Sequence, residues 1–137
     1  AIHTPGHTDS HFSYMINHES DKLLFSGDSL LINSCGRTDF QSGSSKELYN
    51  TIKNIFYEMP NDTKVYPAHD YNNNNFSTIV DQKQGNSLIN ENIDMGSFIN
   101  SMDNLDLGSP KKIDFAVPRN NICGATFGTG EAYDNVS

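Results

Sequence analysis

Histidines and aspartates at the ends of predicted strands give this sequence its chemistry. His7 follows a Pro-Gly turn in AIHTPGHTDSHF, just before the first full strand. Asp28 lies just past the next strand, and His69 just past the third. Groups in loops at element termini can be brought to one point by the scaffold beneath them. Imidazole and carboxylate together are ligand chemistry for zinc, iron or manganese. Two histidines and one carboxylate also suit a non-haem Fe(II) centre with open positions. The gaps between the three are long, unlike a CxxC motif. A histidine taken alone is more often a surface or satisfied group than a ligand. His3, His11 and His18 are read that way, and Gly27 reads as a strand exit.

The elements that must position these groups follow from patterning. FSYMIN (12–17) and KLLFS (22–26) read as two strands of a hairpin, joined by the polar turn 18–21. NSCGRTDFQSG (33–43) reads as an aperiodic loop. Ser44 with Glu47 fits a capping box, and Leu48, Ile52, Ile55, Phe56 and Met59 then share one helical face. TKVYP (63–67) reads as a strand ending at Ala68-His69-Asp70-Tyr71. The four asparagines 72–75 read as an exposed loop tip. Residues 77–84 read as a short helix, and Asp94 as the cap of another with Phe98, Ile99, Met102 and Leu105 inward. IDFAVPRNNICG (113–124) reads as an apolar run and a turn, and 125–137 as a frayed tail. The order is ββαβαα, an α/β arrangement. So few elements leave sheet faces and edges uncovered, so the expectation is half of a larger domain.

Bulk composition sets limits. The 137 residues suit about one domain. A formal charge of −8 makes the chain a poor nucleic-acid binder. No apolar run of about 18 residues is present, so no membrane span is expected, and no targeting segment is visible. Cys35 and Cys123 read as two free thiols of a reducing compartment.

TPGHT (4–8), SGDSLL (26–31), GRTDFQ (36–41) and YPAHDY (66–71) occur in that order. They resemble the C-terminal half of the metallo-β-lactamase fold, and more closely the persulfide dioxygenases of the ethylmalonic-encephalopathy-protein type. IDFAVPRNNICG resembles the C-terminal end of the same group. The resemblance implies a four-layer αββα sandwich with a metal at one edge between two sheets. Residues 1–124 would be its C-terminal half, with the HxHxDH motif of the other half upstream of Ala1. The implied activity is oxidation of glutathione persulfide by O₂ to sulfite and glutathione. The implied cofactor is one Fe²⁺ per subunit.

Carried over by position, the resemblance makes His7 and Asp28 metal ligands, the third ligand lying outside this chain. His69 and Asp70 would support that shell or mark a second metal site left vacant. Arg37 and Tyr71 would bind glutathione, and Asp39 would orient Arg37. No side chain is needed as nucleophile or base, because the chemistry takes place at the metal. The family often forms homodimers, in the mitochondrial matrix of eukaryotes or the bacterial cytoplasm. Two alternatives stay open at this point: a glyoxalase-II-like acylglutathione thioesterase with two metals, and a non-catalytic fragment or pseudoenzyme.

Overall fold

A computed structural model describes residues 1–40, 42–70, 72–105, 108 and 113–120. Tyr71, Cys123 and the tail 125–137 lie outside the described residues. Five strands form one sheet in chain order: β1 (Ile2–His3), β2 (Phe12–His18), β3 (Asp21–Gly27), β4 (Lys64–Pro67) and β5 (Ser77–Thr78). All neighbours are antiparallel except β3 and β4, which run parallel. A parallel pair needs a crossover. Here α1 (Ser45–Thr51) and a π-helical turn (Ile52–Phe56) supply it.

Strand alternation sorts the residues onto two faces. Ser13, Leu24, Ser26, Val65 and Ser77 point inward and are buried. Leu24 and Val65 meet Leu48, Ile52 and Phe56 of the crossover, with Ile79 of α2 (Ile79–Gly85) and Phe98 and Met102 of α3 (Met95–Asp103). The opposite face is apolar and open: Phe12, Tyr14, Ile16 and Phe25 are all at least 40% exposed. Phe25 stacks on Tyr66, which in turn packs on Phe76.

The hairpin and the capped crossover helix agree with the expectation. Ser44 accepts from the Glu47 amide at the N-cap. Three details differ from it. The expected helix over 77–84 begins as a strand, because Ser77 and Thr78 pair with Val65 and Lys64 before Thr78 caps α2. That cap is a reciprocal capping box with Asp81. The crossover helix widens by one residue, the Tyr57 amide donating to the Ile52 carbonyl. This turns Tyr57 into the core, where its hydroxyl reaches the carbonyls of Gln82 and Ile89. Finally, residues 113–120 form a helix, α4, with Pro118 inside it, where an apolar run and a turn had been expected. Short apolar runs do not by themselves distinguish helix from strand. Residues 1–105 form one compact unit, and α4 belongs to a second. Among the described residues no helix is long and apolar enough to cross a membrane.

Candidate metal centre

His7 sits at the tip of a loop whose ends are joined. The Thr4 amide donates to the His11 carbonyl at 2.9 Å, and the Gly6 carbonyl accepts from Ser44 at the start of α1 at 2.8 Å. Thr51, two helical turns further on, donates to the Pro5 carbonyl at 2.6 Å. The His7 imidazole is oriented from behind by a 2.7 Å bond to the Arg37 carbonyl. A carbonyl only accepts, so Nδ1 carries a proton, and the neutral form of the ring then presents a lone pair at Nε2.

That lone pair faces a carboxylate. His7 Nε2 lies 3.7 Å from Asp28 Oδ2, and His69 Nε2 lies 3.2 Å from Asp28 Oδ1. The second contact is not a hydrogen bond: Asp28 Oδ1 is buried and accepts none. Asp28 and His69 are neighbours because β3 and β4 end side by side, the Ala68 amide donating to the Gly27 carbonyl at 3.0 Å. Three of the expected residues are thus brought together.

A lone pair facing a carboxylate, and a buried carboxylate oxygen without a donor, are both unfavourable in isolation. A divalent cation relieves both. Imidazole nitrogen and carboxylate oxygen are the right donors for a transition metal of this kind. The set is incomplete in number. Among the described residues, no three His, Cys, Asp or Glu side chains are arranged to hold one ion.

The remaining candidates lie around this pair. Arg37 Nε and Nη2 both donate to the Asp39 carboxylate at 2.7 Å, and the guanidinium lies 4.2 Å from the centroid of the Phe40 ring. The Arg37 bond holds the Asp39 carboxyl below its usual range. Asp70 serves its own loop: one oxygen accepts from the amides of Asn72 and Asn74 at 2.9 and 2.7 Å. The Asn74 amide above all lowers its pKa. His3 binds the Asp9 carbonyl and packs on Phe12, away from the pair. Cys35 is buried 3.8 Å from the Met102 sulfur, and burial pushes its thiol up to about 12.

The sequence left His11 as either a support of the centre or a surface group, and the structure places it beside the centre. Its ring meets His7 edge to face, with centroids 6.2 Å apart. Its Nδ1 reaches Thr4 Oγ1 at 2.9 Å and Ser29 Oγ at 3.0 Å. Burial lowers its pKa first, then the nearby His7, against an opposing pull from Asp28. The partners that mark it are hydroxyls scattered through the sequence, which form no recognisable spacing.

A αβ unit with a histidine turn, a Gly-Asp strand exit and a histidine past the next strand defines a class of metal-dependent folds. The profile described as the Metallo-beta-lactamase superfamily matches residues 1–69, which include His7, Asp28 and His69. The chain belongs to that superfamily, and the expected α/β class and fold are borne out. It is 40% identical over 121 residues to the human mitochondrial persulfide dioxygenase ETHE1, covering 88% of this chain and 46% of that protein. The crystal structure of ETHE1 from Myxococcus xanthus matches with a TM-score of 0.82 at 40% identity, over 90% of this chain and 53% of that one. A probable hydroxyacylglutathione hydrolase, glo2 of Schizosaccharomyces pombe, is 35% identical over 82 residues, 58% of this chain and 31% of that protein. The chain spans about half the length of the persulfide dioxygenases it matches.

Proposed function

We propose that this chain carries one side of the active site of a glutathione-dependent persulfide dioxygenase. The observation that supports this reading most is the extent of the likeness to ETHE1. It runs through 88% of the chain at 40% identity, beyond the 58% to 68% that similar hydroxyacylglutathione hydrolases cover. The reaction balances as glutathione persulfide plus O₂ plus water giving glutathione plus sulfite, with two protons released. The outer sulfur is oxidised and both oxygen atoms of O₂ are reduced.

In this reading His7 and Asp28 hold one Fe²⁺ together with a ligand from outside the chain. Bound there, the iron supplies the redox chemistry between sulfur and O₂. His7 is kept in its ligating tautomer by the Arg37 carbonyl. His69 Nε2, 3.2 Å from Asp28 Oδ1, lies against the same carboxylate. Asp39 fixes the plane of Arg37, whose positive charge attracts a glutathione carboxylate. Tyr71 is proposed as a further glutathione contact. The open aromatic face of the sheet is the surface on which a second sheet would pack, completing the sandwich. Homodimerisation, and a location in the mitochondrial matrix of a eukaryote or the cytoplasm of a bacterium, belong to the same proposal.

One observation favours a second reading. The His69 imidazole stands 3.2 Å from Asp28, where a thioesterase with two metals would need a donor for its second ion. A product assay separates the two. The full-length protein as the cell makes it, loaded with Fe²⁺, should form sulfite from glutathione persulfide in air. It should release little thiol from an acylglutathione. Thiol release without sulfite would establish the thioesterase instead.

A further inference from the structure

The hydroxyl cluster behind the centre has one proton assignment that satisfies all of its contacts at once. Ser29 Oγ–H donates to the Thr4 carbonyl at 3.1 Å, and Ser13 Oγ–H donates to the Ser26 carbonyl at 3.3 Å. Each hydroxyl has one proton. Thr4 must therefore donate to Ser13, the two oxygens lying 2.9 Å apart. With both Thr4 and Ser29 already donating elsewhere, His11 Nδ1 can bond to them only as an N–H donor. It shares its proton between Thr4 Oγ1 and Ser29 Oγ.

The consequence is geometric. Thr4 opens the loop that carries His7, and Ser29 directly follows Asp28. One imidazole N–H is thus bonded to both segments that present the donor pair. The other edge of the ring lies against Gly27, whose φ is +57°. A Cβ there would come within 2.5 Å of His11 Nε2 and 2.9 Å of Cε1, so a side chain at 27 would displace the ring. Glycine at this strand exit serves the ring as well as the turn.

We propose that His11 is a positioning residue of the metal centre, its Nδ1–H locking the His7 loop to the Asp28 turn. The inference rests on the reading of His7 and Asp28 as metal ligands. It assigns His11 no contact with the metal or substrate. A purely structural histidine would contribute to stability alone, whereas a positioning residue sets the metal affinity as well.

The test compares His11→Ala, which removes the donor, with His11→Asn, whose amide places an N–H near the position of Nδ1. Both are made in the full-length protein. Affinity for Co²⁺ is measured by competition, together with the visible spectrum of the bound ion and the melting temperature without metal. Expected is a loss of affinity of about tenfold or more in His11→Ala with an altered spectrum. His11→Asn should restore both, whatever its melting temperature. Affinity and spectrum unchanged in His11→Ala would overturn the proposal, as would failure of His11→Asn to rescue. If His11→Ala does not fold, Ser29→Ala serves in its place: weakened Co²⁺ binding supports the lock, and unchanged binding overturns it. A wild-type protein that binds no Co²⁺ would instead remove the metal-centre reading, and the proposal with it.

Discussion

His7 Nε2 stands 3.7 Å from Asp28 Oδ2, and the loop of Gly36 and Arg37 holds both residues from behind. The Arg37 carbonyl accepts from His7 Nδ1. The Gly36 Cα lies so close to the Asp28 carbonyl that an added Cβ would come within 2.0 Å of it, and within 3.0 Å of His7 Nδ1. Gly36→Ala should therefore move the two donors apart. Metal affinity, read by competition with a chelator, should fall by about tenfold or more. An unchanged affinity would show that the loop does not set the spacing.

Asp28 Oδ1 is buried and accepts no hydrogen bond, although the His69 imidazole lies 3.2 Å away, so its carboxylate adds little to the fold without a cation. Asp28→Asn should abolish metal binding. It should leave the metal-free protein as stable as before or more stable, by about 1 kcal/mol. Urea denaturation of both metal-free proteins checks this. A loss of stability of several kcal/mol would make Asp28 a structural residue first.

Cys35 is unreactive in the folded protein. Its thiol is buried against Met102, and its pKa is pushed up to about 12 by that burial. With Cys123 replaced by serine, a disulfide reagent at pH 8 should label no thiol until denaturant is added. Rapid stoichiometric labelling of the native protein would contradict the packing described here.

Asp94 caps α3, accepting from the Ser97 hydroxyl at 2.7 Å and its amide at 3.0 Å. These bonds hold its carboxyl below the usual range, the hydroxyl contributing most. A carboxylate with a depressed folded pKa stabilises fully above its unfolded value, about 3.9, and loses that contribution as pH falls through the folded pKa. As pH falls below about 4, the wild type should therefore lose stability more steeply than Asp94→Asn, which caps at every pH. Parallel slopes in urea titrations would contradict this.

The parts of this molecule that were legible in its sequence are those fixed by local rules. Two strand-like runs on either side of the polar turn 18–21 marked the hairpin, which the structure forms. Ser44 and Asp94 announced their helices by capping chemistry. His7, Asp28 and His69 were legible as candidates because groups at strand ends need only the strands to be found. What escaped was set by contacts between distant segments. Tyr57 enters the core through a π-turn that a 3.6-residue period does not anticipate. Ser77 and Thr78 form a strand only because Val65 and Lys64 lie beside them. His11 resembled any surface histidine, since its partners Thr4 and Ser29 reach it only once β2 and β3 have paired. Arg37 was singled out only through the family resemblance. Its close pairing with Asp39 and its stacking on Phe40 depend on the shape of an aperiodic loop.

The central claim is that His7 and Asp28 serve an oxygen-consuming centre acting on persulfide sulfur. An oxygen electrode tests it most directly, with the full-length protein loaded anaerobically with Fe²⁺ and glutathione persulfide added last. The account predicts O₂ uptake in the wild type, matched mole for mole by sulfite, and none above background in Asp28→Asn. No uptake by the iron-loaded wild type, or equal uptake by Asp28→Asn, would contradict it.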